Sequence, residues 1–182
     1  VACATLPVIW GLFSGEKLST QQIIGVFVGL FAIFLVSWTP GGQAGIKGML
    51  VLEALIAGLA FGAFFIVIDG TSETTAPWPV VGSRVFSVIA IFLFVMIGRK
   101  NIKPEEKSTP YIIGAGFFDT LANVVLLAAL NRGMLSLVSV LASFYPAVTV
   151  LLARLFLKEM MLKSQILGLA LGLTSIALLA VS

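Results

Sequence analysis

LFSGEKLSTQQIIGVFVGLFAIFLVS, residues 12–37, returns 143 positions later as LFLKEMMLKSQILGLALGLTSIALLA, residues 155–180. Ten of the twenty-six aligned positions are identical: Leu12/Leu155, Phe13/Phe156, Glu16/Glu159, Gln22/Gln165, Ile23/Ile166, Gly25/Gly168, Gly29/Gly172, Leu30/Leu173, Ile33/Ile176 and Leu35/Leu178. Each copy reads as the end of an apolar helix, a short loop holding a glutamate, and a second apolar helix carrying GxxxG. Five apolar segments separate the two glutamate loops, so the loops fall on opposite sides of a membrane and the second copy is inverted relative to the first. Inverted-topology repeats are the usual signature of secondary transporters.

Composition supports a membrane protein independently of the repeat. The chain is 59% hydrophobic and 10% charged, against about 45–50% and 25% in soluble domains. A water-facing surface cannot be built from these residues. The runs 18–46, 133–153 and 164–182 carry no charge, and each reaches or approaches the roughly 20 residues that cross a bilayer. Cys3 is the single cysteine and histidine is absent, which removes disulfide frameworks, Cys/His zinc sites and histidine-based catalysis. The reading calls for no cofactor and no metal. A net charge of +3 scattered through loops gives no basic stripe for nucleic acid.

Seven spans are predicted, at about 1–14, 20–38, 49–68, 80–97, 111–130, 135–157 and 164–181, joined by short polar or Gly/Pro stretches. The first offers roughly 21 Å of helix against a hydrocarbon core of about 30 Å, and the sequence starts on Val1 rather than Met. It therefore reads as a piece whose N-terminal helices lie outside the given sequence.

The stretch AALNRGMLSLVSVLASFYPAVTVLLARLFLKE with the apolar helix after it resembles the end of an EamA-type repeat of the drug/metabolite transporter superfamily. LFSGEKLSTQQIIGVFVGLFAIFLV resembles the same region of the preceding repeat. The AL-x-x-G step from Ala129 to Gly133 and the pair Tyr145-Pro146 ahead of a Glu-ended helix carry the likeness most specifically. The resemblance implies an all-α, polytopic membrane helix bundle of two inverted five-helix repeats in a cell membrane, the bacterial inner membrane for most such proteins. Residues 1–40 are then the end of an incomplete first repeat (helices four and five), 41–47 a linker, and 48–182 the second repeat (helices six to ten). One departure stands out: Pro7 precedes Glu16 by nine residues, whereas Pro146 precedes Glu159 by thirteen.

Several features admit a plain and a functional reading. GxxxG at Gly11/Gly15, Gly25/Gly29, Gly58/Gly62 and Gly168/Gly172 lets helix backbones approach within the chain or across a dimer. Glu16 and Glu159 precede helix starts and either cap them or act in gating or proton transfer. Pro146 lacks an amide proton and kinks its helix near Ala142, freeing a carbonyl beside Ser139, Ser143 and Tyr145, all candidate solute contacts.

Intramembrane charges are the sharpest leads, because a charge in hydrocarbon must be paired or face a wet cavity. Glu53 and Arg154 lie at matched depths of about 5–6 Å from one face and are candidates for a structural ion pair. Arg84 lies about 6 Å in from the opposite face, where its side chain either snorkels to the interface or enters a cavity. Asp119 is close to mid-span, about 16 Å from one end, with Asn123 one turn away. It is either a solute-binding or proton-coupling carboxyl or a polar contact between helices.

The expected function is transport of a small organic solute, outward by family resemblance, through alternating access, with protons as a candidate second partner. A sugar-phosphate or nucleotide-sugar type carrier of the same superfamily is the nearer alternative; a membrane-embedded enzyme is the more distant one, since the residue inventory leaves only Asp or Glu chemistry for it. Oligomeric state stays open. Orientation does too: Lys47, Arg99, Lys100, Lys103, Lys107, Lys158 and Lys163 gather on one face and favour it as cytoplasmic, whereas the family's usual arrangement gives the reverse.

Overall fold

The computed structural model describes residues 1–38, 48–71, 73–98 and 106–180. The expected linker over 41–47 and the basic residues Lys47, Arg99, Lys100 and Lys103 lie outside them. Helices in chain order are α1 (Ala2–Phe13), α2 (Thr20–Ser37), α3 (Gly48–Asp69), α4 (Trp78–Gly98), α5 (Thr109–Leu130), α6 (Leu135–Ala142), α7 (Tyr145–Leu152) and α8 (Lys163–Ala180). A π-helical turn, Ala153–Leu157, continues α7, so α6, α7 and this turn form one pass over Leu135–Leu157. Among the described residues six passes are long and apolar enough to cross a bilayer, while α1 has 12 residues. This is an all-α membrane bundle.

The helices form two compact units: Val1–Val67 with Gly133–Ser182, and Ile68–Arg132. In the first, α2 and α8 pack antiparallel through their glycines. A Cβ on Gly25 would meet the Leu179 side chain at 2.9 Å, and one on Gly168 would meet the Val36 side chain at 2.7 Å and the Ala32 carbonyl at 2.9 Å. Shifting 25 and 36 by 143 gives 168 and 179, so these two contacts exchange under the sequence repeat. Close backbone approach holds helices together in lipid, where apolar side chains gain little from leaving one apolar solvent for another. Ser175 Oγ adds a hydrogen bond to the Gly25 carbonyl at 2.7 Å. Around this seam lie Val26, Ala32, Ile33, Val36, Val140, Phe144 and Leu179.

Gly58 and Gly62 of α3 seat against Ala2, Cys3 and Leu6 of α1. All these stripes are used within the chain. Gly11 and Gly15 belong to a different device: Gly11 is helical, whereas Gly15 sits at φ +93° in the turn after α1, a conformation open to glycine.

The second unit is the α4–α5 hairpin with the stretch before it. Its helices are apolar on nearly every side, as spans in contact with lipid are, and Arg84 and Asp119 interrupt that surface.

Candidate functional site

Arg84 of α4 and Asp119 of α5 form an ion pair, Nη2 to Oδ2, at 2.6 Å. The same Nη2 donates to the Asp119 carbonyl at 3.3 Å, and Asn123 Nδ2 donates to that carbonyl at 2.8 Å. The i, i+4 spacing puts Asn123 over Asp119 on the helix face, and the guanidinium reaches across from the antiparallel neighbour. A lone carboxylate at this depth would cost several kcal/mol; pairing leaves a net charge of zero. The pair is not sealed. The Asp119 side chain is 59% exposed on its unit and that of Arg84 35%, while Arg84 Nε is shielded and has no hydrogen-bond partner. The sequence singles out all three residues but does not join Arg84 to Asp119.

In the other unit, Tyr145 is 62% exposed and lines a cavity of about 590 Å³ together with Val1, Ala2, Cys3, Ala54, Ala57, Gly58 and Phe61. Ser139 and Ser143 are buried instead. Ser139 Oγ bonds the Ser136 carbonyl at 3.1 Å, and Ser143 Oγ lies 3.5 Å from Cys3 Sγ. Both hydroxyls are thus spent inside the fold rather than on the cavity wall. Pro146 stands in the first turn of α7, after a helix break at Ser143 and Phe144.

Glu53 and Arg154 are both exposed, and the ion pair among the described residues is Arg84–Asp119, not this one. Arg154 Nη1 donates to the Glu159 carbonyl at 3.1 Å, and no ion pair joins it to Glu53. Glu16 also acts elsewhere than its sequence position suggests. Its own following helix, α2, is capped by Ser19 and Gln22 in a reciprocal box, Gln22 N–H to Ser19 Oγ at 3.2 Å and Ser19 N–H to Gln22 Oε1 at 2.8 Å. Glu16 Oε2 accepts instead from the Ser136 amide at 3.1 Å, at the start of α6. Gln165 repeats the Gln22 reach-back, accepting from Leu162 N–H at 2.9 Å.

The sequence profile of the EamA-like transporter family matches residues 47–181. The chain belongs to this family. An uncharacterized protein of Methanocaldococcus jannaschii is 31% identical over 121 residues, covering 66% of this chain and 87% of that relative. No solved structure matches. As an EamA-like transporter with six membrane-crossing helices, the chain is a multi-pass membrane protein whose family is one of transporters and not of enzymes.

Proposed function

We propose that this EamA-like protein carries a small organic solute out of the cell by alternating access, its two inverted halves rocking about a cavity near the membrane midplane. The observation that carries the reading is the α2–α8 seam: glycine contacts that exchange under the 143-residue repeat are what two inverted halves hinged on a common axis require. Tyr145 on its cavity, Asp119 near mid-span, and Arg84 and Asn123 bonded to it are the candidate solute or coupling residues. An ion pair there works as a charge-balanced site. A solute group, or a proton on the carboxylate, that takes one partner must be matched by something for the other, so occupancy and pairing are coupled. Because Asp119 neutralises Arg84, this arrangement favours a solute without large negative charge over a sugar phosphate, which would need surplus cations.

In the full-length protein reconstituted in proteoliposomes, Asp119→Asn keeps size and one hydrogen bond and removes the carboxylate. Normal expression with transport abolished, or made insensitive to pH, is the expected result. Unchanged flux with unchanged pH dependence excludes the role. Growth-resistance screening of the full-length protein against a solute panel identifies the cargo, and resistance to no member argues against export.

A further inference from the structure

We infer that Glu16 is a latch: its hold on α6 keeps one face of the carrier closed, and α6 swings about the Ser143–Phe144 break when the latch opens. This rests on the transport reading above and adds to it the element that moves and the charged contact that restrains it, beside the Ser136 Oγ hydrogen bond to the Val8 carbonyl at 3.4 Å. Four features converge on Glu16. Gly15, at φ +93°, folds the chain back after α1, and the Glu16 amide closes the turn on the Gly11 carbonyl at 3.0 Å. Gly11 leaves the space that the carboxylate fills, since a Cβ there would collide with Glu16 Oε2 and with Ser136 Oγ. The carboxylate then takes the Ser136 amide at 3.1 Å across 120 positions of sequence. Meanwhile α6 starts with Met134 as N-cap, which gives no side-chain cap, and with no acidic residue in its first turn. Glu16 is thus spent on α6, and α2, capped by Ser19 and Gln22, does without it.

The far end of α6 is jointed. The Ser143 amide is shared between the Ser139 and Val140 carbonyls, Phe144 N–H returns to Leu141, and Ala147 N–H and Val148 N–H both turn to Phe144. Proline at 146 supplies no amide to the ladder, so α6 and α7 are two rods meeting at a two-residue corner, as kinked helices do at such breaks. Tyr145, which lines the 590 Å³ cavity, is the next residue after that corner. A rod jointed at the cavity and tied at the membrane face couples the tie to access.

The test uses the full-length transporter in sealed proteoliposomes, with Cys3→Ser and a reporter thiol at Tyr145→Cys, labelled by a membrane-impermeant maleimide from either side. Glu16→Ala is expected to raise labelling from the Glu16 face roughly fivefold to tenfold, the range set by loss of one charged helix cap, and to lower it from the opposite face. Glu16→Gln keeps the accepting oxygen and should stay within about twofold of the parent. Should Glu16→Ala fail to fold, Glu16→Asp withdraws the carboxylate by one methylene and is expected to shift labelling in the same direction. Equal labelling in parent and latch variants on both faces overturns the inference and leaves Glu16 a static cap. Because the readout needs no solute, failure of the transport reading shows separately, as absence of flux in the protein without the reporter substitutions while labelling in the reporter background still responds to Glu16.

Discussion

The two copies of the repeated segment make the same turn and use it differently. Gly15 and Lys158, equivalent under the 143-residue shift, are both at positive φ, +93° and +55°, and Gln22 and Gln165 both reach back to the amide three residues earlier. There the likeness stops. Gly11 makes room for Glu16 to reach α6, whereas its equivalent is Arg154, which donates to the Glu159 carbonyl. Ser19 completes a capping box, and its counterpart Leu162 offers only an amide. The turn therefore keeps its left-handed residue although Gly15 and Lys158 differ, and the differing positions around it decide what the glutamate does. A glutamate shared between the repeats marks a shared place in the backbone, not a shared role.

The sharpest way to break the comparison is at 11 and 154. Gly11→Leu should cost about 3 kcal/mol, because the side chain must displace the Glu16 carboxylate and the Ser136 hydroxyl from a packed helix pair, while Arg154→Leu, on an exposed side chain, should cost less than about 0.5 kcal/mol. Denaturant titration of the detergent-solubilised protein reads both, and equal losses would mean the seat at Gly11 is unimportant. A smaller effect separates the turns. Gly15→Ala should lose about 1 kcal/mol by forcing a Cβ into the left-handed region, and Lys158→Gly should gain up to about 1 kcal/mol by relieving it. Opposite signs in melting temperature support the shared turn; same signs break it. The smallest effect sharpens the likeness: Gln22→Ala and Gln165→Ala should each cost roughly 0.5 kcal/mol, as loss of one capping hydrogen bond does, and a large inequality between them would show that the two caps are not equivalent.

The passes were legible because charge-free runs of about 20 residues have few other uses, and the glycine seam because GxxxG recurs in both copies. Lateral neighbours were not legible from depth alone. Glu53 and Arg154 share a depth and form no ion pair, while Arg84 and Asp119 lie at different depths by residue count and pair. Counting back from the hairpin would have found the latter pair: Arg84 lies about 21 Å along α4 from its end and Asp119 about 15 Å along α5 from its start, close enough for a long side chain to span. The Glu16 seat was hidden for another reason. A carboxylate before a helix fits the pattern of a local cap, and only the presence of Ser19 and Gln22, a complete box three residues on, argued that it was free for another helix. Ser139 and Ser143 matched the pattern of a polar cavity wall and turned out to be hydroxyls satisfied inside the fold.

The α2–α8 seam also sets a timetable. It joins helices far apart in the chain, with Ser175 bonded to Gly25 across 150 positions, so the glycine stripe of α2 waits bare in the bilayer until α8 has left the ribosome. This seam is closed from its C-terminal side, and a chain cut short before α8 would carry an unmet helix face that the cell's membrane quality control can read.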